Sequence, residues 1–370
     1  MPAEAPRAGL EEQLVDLQIR RIEKARDFVA LAPVWFRLLS ESGQTSPFLS
    51  YDWFWCCWHG VWPQRHPEIL LVEKAGIPVA IIPLMHWRSR VHGLPVRHIS
   101  FLECPYTPEV DLLTVHEHDE ILAIFLEHLT NRSDWDIAKL QKLPIASPTV
   151  KALEHLLPGR LPWRRDGHHT APYIAVDGDW DHFCRALSGT SVDLHQYIQT
   201  GLRRSGDIRL EERRLVDLES ASLQEIFTFM HSSPGAQVTA PMPRQWEFFR
   251  VLTQRAAKND WLSLWTLKLD GHILAIEYQL RSHGRVSILL AGEDPAYSAM
   301  LPWPALNLAI LQSVFQSGYA TEYSIGPAVQ NSCLWRPDGY RQTVQLKLYR
   351  PSLYTRIMAQ LEDASATEYS

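Results

Sequence analysis

WLSLWTLKLDGHILAIEYQL, residues 261–280, decides the fold. Two apolar, β-branched and aromatic runs flank Asp270-Gly271, the sequence pattern of a β-hairpin with a two-residue turn. EILLVEKAGIPVAIIPLM, residues 68–85, has the same form, with its turn at Lys74 to Gly76. In each copy an alanine stands four residues after the turn glycine: Ala80 after Gly76, and Ala275 after Gly271.

The flanking stretches also correspond. VRHISFLE (96–103) matches RVSILLAGE (285–293) as a third strand. A helix follows in each copy, DEILAIFLEHL (119–129) and PALNLAILQSVFQSG (304–318), and then a further strand, DIAKLQKLP (136–144) and ATEYSIGP (320–327). Long helical stretches, 33–60 and 222–258, precede the two hairpins. The chain therefore reads as an α/β protein in which one unit occurs twice. The last two strands of each unit would run parallel, joined by a helical crossover. The expected divisions are an N-terminal extension (1–29), a first domain (30–175), a connecting helical segment (176–220), a second domain (221–350) and a C-terminal tail (351–370).

Composition bounds the function. Of 370 residues 46% are hydrophobic and 21% charged, an ordinary globular balance. A formal net charge of −6 gives no support to a nucleic-acid groove tracked by many lysines. The five cysteines form neither a C-x-x-C pair nor a secreted disulfide pattern, which suits a reducing compartment. The N-terminal stretch has acids where a signal peptide needs a basic start, and no window approaches the roughly 18 apolar residues of a membrane span. The expectation is a soluble, cytoplasmic protein. In YDWFWCCWHGVW (51–62) nearly every helical face is apolar, so this helix is either core or a ligand-stacking platform.

No G-x-S-x-G, G-x-x-x-x-G-K-[ST] or G-x-G-x-x-G occurs, which leaves serine hydrolase, P-loop and Rossmann readings without a motif. His116-Glu117-His118 and His168-His169 lack metal-ligand spacing, and no metal is expected. LLAGEDPAYSAMLPWPALNLAILQ (289–312) runs from a strand through a turn into a helix opened by prolines. Helix starts carry unpaired N–H groups and partial positive charge, so such a turn suits an anionic ligand. Glu277 faces inward if Ile276 and Tyr278 face the other side, and an acid on a central strand is costly unless paired or functional.

On these segments, and on PFLSYDWFWCCW, APYIAVDGDWDHFCRALSG and YIQTGLRRSG, the chain resembles the BioF2-like and CelD-type acetyltransferases of the GNAT superfamily over roughly residues 30–350. These are related to the FemAB aminoacyltransferases, which also have two tandem GNAT-like halves. The resemblance implies two such halves, with mixed twisted sheets flanked by helices, and an acetyl-CoA or other acyl-CoA donor. It implies that Leu289, Leu290 and Ala291 form the strand edge that pairs with the pantetheine arm. Tyr297, Ser298, Ala299, Met300 and Leu301, with the start of the next helix, would form the phosphate end.

Candidate catalytic residues are Glu277, Glu322, Tyr323, His231 and Asp111. Arg203 and Arg204 are candidates to meet an acceptor phosphate. The acceptor would be an amine on a small molecule, such as an amino sugar, with polysaccharide-synthesis proteins as possible partners and no nucleic acid. The sequence departs from the family pattern in two places. The turn at 297–302 contains no glycine, and Gln330 and Asn331 stand where Tyr-Lys is expected. A FemAB-like aminoacyltransferase and a degenerate, non-catalytic scaffold remain as alternatives.

Overall fold

The structure is a computed structural model and describes residues 17–60, 65–186, 206–214, 226, 228–229, 242–325 and 335–367. Its strands, in chain order, are β1 (Leu17–Ile22), β2 (His66–Lys74), β3 (Ile77–Val91), β4 (Leu94–Phe101), β5 (Leu113–Thr114), β6 (Ile137–Pro144), β7 (Trp163–Ala175), β8 (Ile208–Arg213), β9 (Leu262–Leu269), β10 (His272–Ser282), β11 (Arg285–Glu293), β12 (Glu322–Ser324) and β13 (Gly339–Tyr349). The helices are α1 (Ala25–Ala30), α2 (Ala32–Ser42), α3 (Tyr51–Gly60), α4 (His118–Thr130), α5 (Pro148–Leu156), α6 (Trp180–Ala186), α7 (Met242–Lys258), α8 (Pro302–Ser317) and α9 (Leu353–Thr367).

The chain divides into two compact units. The first comprises residues 1–103, 109–169 and 342–370, the second 104–108 and 170–341. In the first unit the strand order is β1-β2-β3-β4-β6-β13, with β5 beside β3. In the second it is β7-β12-β11-β10-β9-β8, with β7 contributing its residues from 170 onward. Both sheets are antiparallel except for β4–β6 in the first and β11–β12 in the second, the two helical crossovers that the repeat predicts.

The duplication extends to backbone detail. Each hairpin turns through two residues of positive φ, Ala75 and Gly76 in one copy and Asp270 and Gly271 in the other. This is the type I′ geometry whose twist matches that of paired strands, and glycine enters it without steric cost. A β-bulge follows three residues after each glycine, at Val79 and at Leu274, and the repeated alanine comes directly after it. The next turn is duplicated too, as His92-Gly93 and His283-Gly284, again with both φ values positive.

Two stretches differ from their expected form. Residues 33–60 form α2 and α3, separated by a 3-10 turn at Pro47–Leu49, because Gly43 ends α2 in the left-handed region. Residues 208–213, within the segment expected to be helical, form edge strand β8 on β9. Its arginines are engaged there: Arg209 pairs with Asp207, Arg213 with Glu211 and Arg214 with Asp260.

Helix α3 is a core element. Tyr51, Trp53, Phe54, Cys56 and Cys57 are buried, and Trp58 stacks on Phe28 of α1 with ring centroids 4.6 Å apart. Aromatic pairs of this kind add about 0.5–1.5 kcal/mol beyond their buried area. In the second unit, α7 covers one sheet face, with Phe249 edge-on to Tyr278 and the Thr253 hydroxyl 3.1 Å from the Tyr278 hydroxyl. Helix α8 covers the other face. Among the described residues no helix is long and apolar enough to cross a membrane.

Candidate active site

The site lies where β10, β11 and β12 meet α8, all within the second unit. Alternation along β10 places Ile276 and Tyr278 toward α7 and turns Ala275, Glu277 and Gln279 toward α8. Strand β11 runs parallel to β12 through only three pairs, Arg285↔Glu322, Val286↔Tyr323 and Ser287↔Ser324. Beyond Ser287 it continues to Glu293 along β10, with no described strand on its other edge.

A second bulge sits just past that parting. Tyr278 pairs with Leu290 and Gln279 with Ile288, so Leu289 is an extra residue on β11. A bulge bends its strand and increases the local twist. It also shifts the side-chain alternation, so that Val286 and Ile288 face α8 before it and Ala291 after it. The equivalent pair in the first unit, β3 with β4, is in register without interruption from Leu84↔Phe101 to Val91↔Leu94. The two copies therefore differ at this point: the parallel pairing runs through three residues in each, but of the two strand pairs the second alone carries the bulge.

Beneath the bulge is a wholly buried polar cluster. Glu277 accepts four hydrogen bonds: Oε1 from the Tyr323 hydroxyl and from Gln279 Nε2 (2.6 Å), and Oε2 from Trp303 Nε1 (3.1 Å) and Asn307 Nδ2 (3.0 Å). Asn307 also donates to the Tyr323 oxygen (2.8 Å), and its own Oδ1 accepts from Trp335 Nε1 (2.8 Å). Burial pushes the Glu277 carboxyl above its usual range, against the pull of these hydrogen bonds, that from Tyr323 foremost. Burial and the neighbouring Glu277 push the Tyr323 phenol well above its usual value.

The turn after β11 is a 3-10 helix, Pro295–Met300, capped by Asp294, which accepts from the Ala296 N–H at 2.9 Å. Leu301 then takes a left-handed conformation (φ 52°) and α8 begins. The start of α8 is closed. Pro302 and Pro304 have no N–H, the Trp303 N–H is bound by Glu293 Oε2 at 3.1 Å, and the Ala305 N–H is bound by the Leu301 carbonyl at 3.1 Å. An anion arriving there meets a carboxylate already in place.

Of the residues singled out from sequence, the structure brings Glu277 and Tyr323 into direct contact. Leu289 and Leu290 are buried, Ala291 is half-buried, and Tyr297, Ser298, Met300 and Leu301 are half-buried around an exposed Ala299. Glu322 is on the same strand as Tyr323 but points away from it, gripped by both nitrogen arms of Arg341 and by Arg285 at 3.3 Å. Glu322 is thereby held in an ion-pair cluster with two guanidiniums. Asp111 is in the first unit, where it accepts from Ser147 Oγ, Thr149 Oγ1 (2.6 Å) and its neighbour Leu112 N–H (2.8 Å), and so fixes the start of α5. Burial raises its carboxyl above the usual range, and these hydrogen bonds oppose the shift. Arg203, Arg204 and His231 lie outside the described residues, as do Gln330 and Asn331.

Gln279, Asn307 and Glu293 are members of the site that sequence reasoning missed. Asn307 carried a signal: it is a lone amide amid the apolar run PALNLAIL, and such a residue is buried only with partners.

The fold repeats one mixed α/β unit in two tandem halves, and the site lies in the second. Residues 196–331 match the acetyltransferase (GNAT) domain family, Acetyltransf_6. Solved structures share the fold over most of the chain. FemX has a TM-score of 0.56 at 9% identity, covering 92% of this chain and 99% of its own. A conserved protein of unknown function from Bacteroides thetaiotaomicron also has a TM-score of 0.56, at 11% identity over 90% of this chain and 100% of its own. L-PGS from Bacillus licheniformis has a TM-score of 0.51 at 12% identity, over 91% of this chain and 97% of its own. At such identities the likeness is one of fold alone. No curated protein is similar to the chain in sequence.

Proposed function

We propose that the protein is an acyl-CoA-dependent N-acyltransferase whose donor lies along β11 of the second unit. The observation that carries this reading is the bulge at Leu289, set where β11 parts from β12 and missing from the first copy. A strand edge left without a neighbour offers backbone N–H and C=O groups that an extended pantetheine arm satisfies as another strand would. The thioester would then lie at the parting, above the Glu277–Tyr323 cluster.

The reaction needs an amine held in line with the thioester carbonyl, a C–N bond formed as the C–S bond breaks, and a route for the amine proton. Glu277, fully buried and accepting four hydrogen bonds, acts as a positioning residue that locks β10 to α8 and β12 and keeps the parting open. The acceptor class suggested by the family resemblance is an amino sugar or nucleotide sugar of envelope or exopolysaccharide synthesis. The test is thiol release from acetyl-CoA, measured across a panel of amino sugars and other primary amines. Thiol release that depends on one acceptor supports the reading, whereas coenzyme A binding without turnover on any amine supports a scaffold.

The closed start of α8 favours a second reading, in which the donor brings no diphosphate to that point, as with an aminoacyl-tRNA. The two readings separate at Glu293. With an acyl-CoA donor, Glu293→Gln keeps an acceptor for the Trp303 N–H but removes the charge. We expect coenzyme A affinity to rise about fivefold by calorimetry, equivalent to roughly 1 kcal/mol at a helix start. An unchanged or weaker affinity counts against a diphosphate at this position.

A further inference from the structure

The first unit holds a basic hollow that the acyl-transfer reading does not use. The last pair between β2 and β3 is His66↔His86, so from Trp87 onward β3 pairs only with β4 among the described residues. Along this edge lies a hollow of about 1170 Å³, bordered by Trp58, His66, Trp87, Arg88 and Arg97. A second hollow, of about 510 Å³, adjoins it, sharing Arg88 and Arg97 and adding Asp136, Arg350 and Tyr354.

Two guanidiniums thus share one carboxylate, and a third, that of Arg88, lines the same hollow. Arg97 takes both oxygens of Asp136, through Nε at 3.0 Å and a terminal nitrogen at 2.8 Å, and its backbone N–H binds the same group at 2.9 Å. That leaves Arg350 3.7 Å from Asp136, with its Nε buried and without a hydrogen-bond partner. Arg88 is exposed and has no partner among the described residues. Among the described residues Asp136 is thus the one carboxylate lining the smaller hollow against three guanidiniums, which leaves its rim net positive. Guanidiniums present paired N–H groups that match the oxygens of a phosphate.

We propose that the Arg88–Arg97–Arg350 cluster is a binding site for a phosphate-bearing small molecule. Arg97, fixed by Asp136, orients the site, while Arg88 and Arg350 supply the excess positive charge. The larger hollow gives the rest of the ligand room beside Trp58 and Trp87. The ordinary role of arginines on an open strand edge is to discourage pairing with other chains, and that role requires no ligand.

The test is titration of the full chain with inorganic pyrophosphate and with uridine diphosphate, read by calorimetry and by tryptophan fluorescence at constant ionic strength. Saturable binding tighter than about 1 mM is expected, weakened at least tenfold in Arg88→Glu with an unchanged melting temperature. Arg350→Gln is expected to weaken it as well. Tighter binding of uridine diphosphate than of pyrophosphate would identify the ligand as a nucleotide, and equal binding as the phosphate group alone. Absence of saturable binding, binding undiminished in both variants, or equal binding of citrate overturns the proposal. Ala299→Glu, on the turn after β11, is expected to leave pyrophosphate binding intact; loss there would move the ligand to the donor turn and equally overturn it.

Discussion

Glu277→Ala lowers stability by about 4 kcal/mol and the melting temperature by roughly 10 °C, while Glu277→Gln changes stability by about 1 kcal/mol or less. The difference follows from which partners can reverse roles. Trp303 Nε1 and Asn307 Nδ2 only donate, and both meet Oε2. On Oε1 the partners are the Tyr323 hydroxyl and the Gln279 amide, and each of these can accept instead. Gln279 Oε1 is buried and without a partner, so turning that amide supplies an acceptor for a new N–H. Glutamine fits with its oxygen toward α8 and its nitrogen toward Tyr323. Alanine removes the shared acceptor: the Trp303 N–H and the Tyr323 hydroxyl lose their partner, and Asn307 and Gln279 keep only the Tyr323 oxygen. The two variants also differ in pH dependence. Because burial raises the Glu277 pKa in the folded state, its contribution to stability is present below the ordinary carboxylate range and declines as pH rises above it. Glu277→Gln lacks that decline, so its stability relative to wild type improves with pH. Thermal melts across the pH range measure both effects.

Glu68→Ala costs about 3 kcal/mol in the first unit. Glu68 is only 1% exposed, and it gathers Arg21, His86 and both contacts of Arg132, the latter at 3.0 and 3.1 Å. Arg132 is itself largely buried, so removing the acid leaves a guanidinium and an imidazole with reduced compensation. Burial alone would raise the Glu68 carboxyl, but hydrogen bonding and attraction from His86, then Arg132, outweigh it and hold the pKa at about 2 rather than 4.5. A depressed carboxylate pKa stabilises above the unfolded value and loses that contribution as pH falls. Wild type is therefore expected to lose stability between pH 4.5 and about 2, and Glu68→Gln to be flatter over that window. Denaturant melts at pH 7 and pH 3 measure the difference; equal pH slopes would refute the ion-pair assignment.

Much of the fold was legible because its signals are local. Asp270-Gly271 and the runs around it give a hairpin, and recurrence of that pattern gives the duplication. Even the alanine four residues after each turn glycine had a structural basis, since it follows the repeated bulge. The His-Gly turns were equally visible as His92-Gly93 and His283-Gly284, but only the first turn of each copy was read as such. What stayed hidden depends on long-range contacts. Leu17–Ile22, in the stretch set apart as an extension, becomes a strand because β2 offers it an edge. Residues 343–349 pair with β6, 199 to 212 residues earlier, and nothing in their own pattern names that partner. The bulge at Leu289 leaves no mark in SILLAGE, where every register is apolar. The cluster around Glu277 joins residues 26, 30 and 46 positions apart in the chain, and no spacing rule reaches that far.

The central claim is that β11 and the turn after it hold an acyl-CoA donor, and calorimetric titration with coenzyme A, acetyl-CoA and a longer acyl-CoA tests it most directly. Affinity of the order of micromolar is expected for a thioester, weakened at least tenfold in Ala299→Glu, where an exposed residue of the turn gains a charge and a side chain without touching the core. Silence with every thioester, or equal binding in the variant, would contradict it.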